Sequence, residues 1–399
     1  MESPKTDVFS RDAAVELTRK LVQIPSENPT GDEIEVGRFI AGWLRNHDIE
    51  TEVRPVEGER ANVLGRIKGA GGPPLIYIAH LDTVPIGDRQ KWKHDPFGAE
   101  IDGDYIYGRG SCDMKSGTAA AMVAIARIKQ SGLKLNGDLV LACTIDEEEA
   151  YMKGSHALGR ENVVPADAYL LTMEPTGCQI NTAQKGAFWF EVTFIGRGAH
   201  AANPQIGADA NKAMAYAVLG WYEAAEKMGA SMEKPHPLLD RPTLVVSRLQ
   251  GGVKTNIVSE ICRAEIDMRI PPPFGGEDVR KLIEDVAKAA AEKVGVEYIV
   301  LHQSADRPPV ECQADSLLLG AFDRAYEKVV GQTPEHLGFL AYTDAAMLAV
   351  LTGNQQAVVF GPGLLSDAHT TDEKVEIAQI ITAADILEQT AINLLGKPH

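Results

Sequence analysis

Four apolar runs in this chain, at 74–79, 138–144, 168–173 and 357–360, each lead into a side chain that can bind a metal ion or move a proton. His80 and Asp82 follow the first, Asp146-Glu147-Glu148 the second and Glu174 the third, while His369 follows the fourth after Gly361-Pro362-Gly363. Asp113 joins them from Tyr107-Gly108-Arg109-Gly110-Ser111-Cys112-Asp113-Met114-Lys115, a glycine-bent loop that leads into a helical pattern. One acidic residue at a strand end is ordinary loop composition; metal-competent groups after four such runs are not. Imidazoles and carboxylates in this mixture suit two borderline-hard divalent ions such as Zn²⁺, about 3.5–4 Å apart and bridged by one carboxylate and a hydroxide. Co²⁺ and Mn²⁺ are the alternatives. The sequence has no H-E-x-x-H, G-x-S-x-G or G-x-x-x-x-G-K-[ST], so metal-assisted hydrolysis is the chemistry left standing.

Open α/β sheets bind ligands beyond the carboxyl ends of their strands, so these residues call for such a sheet. The four runs read as strands buried on both faces, and helical periodicity at 11–23, 32–47 and 115–131 alternates with them. The middle of the chain differs. Residues 187–194 alternate, a helix follows near 207–228, then strands near 243–249 and 256–270, a helix near 276–294 and a strand near 297–302. That β-α-β-β-α-β order is the pattern of a ferredoxin-like sandwich. The predicted fold is α/β: a discontinuous catalytic domain, 1–182 plus 303–399, whose mostly parallel sheet is flanked by helices, and an inserted lid or dimerisation domain at 183–302.

Composition narrows the partners. A length of 399 residues exceeds what one core usually supports, and a formal charge of −17 repels nucleic acid and anionic membranes. No apolar run is long enough to span a bilayer, and the polar start Met1-Glu2-Ser3-Pro4-Lys5 lacks a signal-peptide core. The five scattered cysteines form no C-x-x-C pair, which fits reduced thiols in a cytoplasmic protein. Cys112 has no evident base beside it and reads as a spacer.

Taken together, His80-Leu81-Asp82-Thr83-Val84-Pro85, Asp113-Met114-Lys115, Asp146-Glu147-Glu148, Glu174-Pro175-Thr176 and Gly361-Pro362-Gly363 before His369 resemble the dizinc aminoacylase/carboxypeptidase family. That family includes acetylornithine deacetylase, succinyl-diaminopimelate desuccinylase and glutamate carboxypeptidase. The resemblance implies that His80 and Glu174 hold one metal, Glu148 and His369 the other, and Asp113 bridges them. It also implies that Glu147 is the general base and that Asp82, expected on the same strand face as His80, orients that imidazole. A cis bond between Asp113 and Met114 is implied as well. The acidic run continues to Glu149, and a count back from Gly154 would shift the base and ligand to Glu148 and Glu149; the count along the strand from Gly137 keeps Glu147 and Glu148.

In the inserted domain, Gly196-Arg197-Gly198-Ala199-His200-Ala201-Ala202-Asn203-Pro204 resembles the loop whose histidine stabilises the tetrahedral intermediate, often across a homodimer interface. Asn256 and Arg269 resemble substrate-binding positions, Arg269 as a fork for a carboxylate. Ala341-Tyr342-Thr343-Asp344 stands where deacetylases and desuccinylases usually read Gly-Gly-Thr-Asp. The ring of Tyr342 is expected to reshape the amino-acid subsite and make acetylornithine and succinyl-diaminopimelate poor substrates. The expected activity is metal-dependent hydrolysis of the amide in an N-acyl amino acid or dipeptide-like small molecule. A dipeptidase or carboxypeptidase is the rival within hydrolases, and a silent metal-dependent binding protein the rival outside them.

Overall fold

A computed structural model describes residues 7–396, so the polar start Met1–Lys5 lies outside the described residues. The chain forms two compact units. The first comprises the chain up to Ala183, Glu311–Phe339 and the chain from Thr343 onward; the second comprises Gln184–Val310 and Leu340–Tyr342.

At the centre of the first unit four strands run parallel: Gly137–Thr144, Gly72–His80, Tyr169–Thr172 and Ala357–Val359, side by side in that order. All are rich in Val, Ile, Leu and Ala and are almost wholly buried, as strands covered by helices on both faces must be. Parallel register brings His80 level with Thr144, and Ile78 level with Thr172, so the ends of three strands open onto one edge. The helices Ala13–Val22, Ser116–Ser131 and Ile377–Leu395 contribute to a single large apolar core together with these strands.

The sheet is mixed rather than parallel throughout. An antiparallel hairpin, Glu50–Glu57 with Arg60–Ile67, forms one edge, and Ile180–Gln184 pairs antiparallel to Ala357–Val359. The hairpin's outer strand, Glu-Thr-Glu-Val-Arg-Pro-Val-Glu, is polar and largely exposed, so it has none of the apolar continuity that marks the central strands.

The second unit carries a four-stranded antiparallel sheet in the order Thr243–Gly251, Ile261–Ile270, Gly186–Ile195, Glu297–His302. Helices Ala210–Ser231 and Gly276–Val294 pack with it around a separate core that includes Phe188, Phe190, Phe194 and Trp221. The strand–helix–strand–strand–helix–strand order read from the alternation is the observed one. The third strand starts at Ile261 rather than 256, because 252–260 turn and hold the His200 loop before pairing begins.

Candidate active site

His80 is the last residue of its strand and is buried. Its Nε2 lies 3.0 Å from Oδ1 of Asp113 and 3.9 Å from Oε1 of Glu174. Its Nδ1 is 2.8 Å from the main-chain oxygen of Asp82, whereas the Asp82 carboxylate is 3.6 Å away. This corrects the same-face argument for Asp82: the strand ends at His80, so the alternation does not extend to residue 82. The Asp82 carboxylate instead accepts the main-chain N–H groups of Glu147 (3.2 Å) and Glu148 (3.1 Å) and a bond from Asn28 Nδ2 (3.0 Å). Asp82 therefore faces the histidine with its carbonyl and anchors the acidic loop with its side chain.

The acidic loop is held from a second side. Asp146, with φ of 68°, accepts from Arg60 Nη2 at 3.0 Å, and Arg60 also pairs with buried Glu33. In this register Glu148 Oε1 lies 3.0 Å from His369 Nε2, and His369 is 3.3 Å from Asp113 Oδ2. Donor atoms of His80, Asp113 and Glu148 fall within 4.8 Å of one another, as do those of His80, Glu147 and Glu174. Glu149 is in neither group and shares its surroundings with Asp146 and Asp82.

Asp113 sits in the turn Ser111–Lys115, which feeds directly into the helix Ser116–Ser131, and its bond to Met114 is cis. Two glycines allow the segments to meet. A Cβ on Gly117 would lie 2.2 Å from the carbonyl oxygen of Met173, and one on Gly361 would lie 2.3 Å from that same oxygen. Only residues without a side chain let the helix and the Gly361 loop approach the Glu174 segment so closely.

The carboxylates crowd one another. Burial pushes Glu174 well above the usual range, with the charge of Asp113 adding to it, and burial and Asp113 raise Glu148 in the same way. Burial would lower His80, but its hydrogen bond to Asp113 and the charge of Glu174 prevail and raise it well above 6.5. Hydrogen bonds to Asp113 and Glu148 lift His369 to about 10. A site of this kind favours positive charge among its oxygens. Cys112 is buried, and burial, then the charge of Glu373, pushes its thiol well above the ordinary value, which agrees with a spacer.

The family model described as peptidase family M20/M25/M40 matches residues 76–393. The chain belongs to this family. It is a metal-dependent amidohydrolase with the α/β architecture of M20 peptidases. It is 27% identical over 413 residues to a probable succinyl-diaminopimelate desuccinylase of Staphylococcus epidermidis, covering 98% of this chain and 100% of the relative. It is 27% identical over 383 residues to acetylornithine deacetylase of Salmonella typhimurium, covering 94% and 96%. Among solved structures, the M20 family metallo-carboxypeptidase Sso-CP2 from Sulfolobus solfataricus matches with a TM-score of 0.79 at 20% identity, covering 96% and 99%.

The metal dependence of M20 peptidases agrees with these side chains. Imidazole nitrogens and several carboxylates converge, and Glu174 and Glu148 are raised by burial and then by the charge of Asp113, a repulsion that a cation would relieve. Among the described residues no helix is long and apolar enough to cross a membrane.

The remaining expected site residues lie in the second unit. His200 is exposed on its loop, and its Nδ1 accepts the N–H of Ala202 at 3.1 Å, so Nε2 carries the proton and is a donor. Asn256 holds this loop, its carbonyl accepting the N–H of Ala201 at 3.0 Å. Arg269 already pairs within its own strand. Its Nε and Nη2 bond Asp267 at 2.7 and 2.8 Å, so one edge of the fork is already engaged by a neighbour on the same strand. Tyr342 is buried, with the Arg307 guanidinium 6.0 Å from its ring centre.

Several groups outside the expected ligand set support the site. Glu373 and Arg109 form a buried ion pair beside Asp113, and Asp344 accepts hydrogen bonds from Thr144 and Ser155 behind the strand ends. Asp344 is visible in the sequence only as the last residue of Ala341-Tyr342-Thr343-Asp344, and its partners, like those of Glu373, come from distant segments.

Proposed function

We propose that this M20 amidohydrolase removes the acyl group from an N-acyl amino acid, with His80 and Glu174 holding one divalent ion, Glu148 and His369 a second, and Asp113 shared between them. The observation that carries the reading is the placing of Asp113, one carboxylate oxygen facing His80 and the other facing His369. Zn²⁺ fits the donor set best, with Co²⁺ or Mn²⁺ as substitutes. When bound, the ions would polarise the scissile carbonyl and lower the pKa of the attacking water.

The chain's own residues supply the rest. Glu147, whose carboxylate shares the space of His80 and Glu174, takes the proton of the attacking water and passes it to the departing amine. Asp82 keeps Glu147 in register by accepting its main-chain N–H, and so sets the position of the base. His200 supplies an Nε2–H to the developing oxyanion from a partner subunit of a cytoplasmic homodimer; its exposure and its tautomer support this role. Both curated relatives named above are deacylases, which favours deacylation over peptide cleavage.

The decisive experiment is Glu147→Gln. Turnover of acyl-amino acids should fall by about 10²–10⁴-fold while both ions stay bound. If Glu148→Gln instead loses activity with both ions retained, the assignment of base and ligand is wrong by one residue. Faster turnover of dipeptides than of every acyl-amino acid tried would move the activity to a dipeptidase.

A further inference from the structure

Glu373 is buried, and its carboxylate is divided between two tasks. Oε1 accepts the main-chain N–H groups of Cys112 at 2.9 Å and Asp113 at 3.0 Å, while Oε2 pairs with Arg109 Nη1. Its main-chain oxygen takes further contacts from the same loop, the N–H of Gly108 at 2.9 Å and the hydroxyl of Ser111 at 3.3 Å. Arg109 is fixed in turn by the Pro85 carbonyl at 3.2 Å and by the Trp92 ring, 5.2 Å from its guanidinium carbon.

Chain position gives this arrangement its meaning. Glu373 lies on the segment that follows His369, yet its carboxylate closes on the loop that carries Asp113. A buried ion pair contributes little net stability compared with apolar packing of the same volume. Stability alone therefore does not account for a carboxylate aimed at the amide of Asp113 itself. Partners in the shell around metal ligands typically set affinity or activity by about 10–100-fold.

We infer that Glu373 is a positioning residue: it locks the Asp113 loop to the His369 segment and so holds the two oxygens of Asp113 toward His80 and His369. The inference rests on the proposed reading of Asp113 as the shared ligand.

The test uses the full-length enzyme stripped of metal and titrated with Zn²⁺ and with Co²⁺. Glu373→Gln keeps the size of the side chain and loses its charge. Affinity for the ions should drop about 10–100-fold, the Co²⁺ absorption and spin-coupling signals should change, and kcat should fall with little change in KM. Arg109→Lys, which keeps the charge but loses the fork, should weaken affinity less and in the same direction. Wild-type affinity and Co²⁺ signals in Glu373→Gln would overturn the inference. Should that variant not fold, wild-type affinity and signals in Arg109→Lys would overturn it equally. Asp113→Asn, run in parallel, separates the two readings. If it retains two coupled Co²⁺ ions, the shared-ligand reading itself fails; if it loses them while the Glu373 and Arg109 variants do not, only the positioning role fails.

Discussion

The two halves of the candidate metal site are built differently. His80 ends a central strand and shares a dry wall with Glu174, their side chains 1% and 7% exposed. His369 has a left-handed φ of 60°, lies on a loop, and its side chain is 51% exposed. One half inherits its geometry from the sheet, where parallel register fixes the strand ends; the other takes it from hydrogen bonds between loops. A site assembled this way pairs a rigid platform with an adjustable arm.

The largest expected effect separates the halves. His80→Ala and His369→Ala should both lose activity beyond the about 10–100-fold that an outer partner costs. Their metal contents should differ. His369→Ala should retain one ion per chain after dialysis and His80→Ala fewer, measured by elemental analysis. The reverse order would show that the loop side, not the sheet side, is the stronger.

A smaller effect concerns the charge stored behind the buried half. Burial, against hydrogen bonds from Ser155 and Thr144, raises Asp344 from 3.8 to about 6. A carboxyl with a raised folded-state pKa contributes stability fully below the unfolded value and loses it as pH rises through the folded one. Wild-type protein should therefore lose Tm relative to Asp344→Asn between about pH 4 and pH 6. A difference in Tm that is flat across that window would remove Asp344 from the electrostatics of this half.

The smallest effect belongs to the second unit. Tyr342→Gly should alter the ratio of kcat/KM between substrates differing in the amino-acid portion by about 1–3 kcal/mol, with metal content unchanged. Equal effects on all substrates would make the ring a filler of volume beside Arg307. Efficient wild-type turnover of acetylornithine or succinyl-diaminopimelate would also count against a role in selectivity.

What the sequence disclosed follows this same division. The central strands were legible because burial on both faces demands continuous apolar runs, and the residues just past them could be read as candidates in consequence. The hairpin at 50–67 was not, since Glu50, Glu52, Arg54 and Glu57 carry no such run. Asp82 stands out in the sequence, but its bonds to the amides of Glu147 and Glu148 depend on where the strand stops, which periodicity does not fix. Arg269 resembles a fork for a substrate carboxylate in the sequence, and its pairing with Asp267, two residues earlier on the same strand face, is not legible there. Contacts such as Glu373 with Asp113 join residues far apart in the chain, and no local pattern announces them.

The place of the strand Ala357–Val359 has a consequence in time. It lies between Tyr169–Thr172 and Ile180–Gln184, two strands made long before it. On the ribosome, the polypeptide up to Ala183 emerges with a gap in its sheet, and the whole second unit is synthesised before the missing strand arrives. Domains tend to fold as units in order of synthesis, so the inserted unit can mature while its host waits. His369 leaves the ribosome later still. The centre that needs it is therefore completed only after the second unit and the missing strand have both been made, and a product stopped before that residue would carry the sheet-borne ligands without the loop that completes the pair.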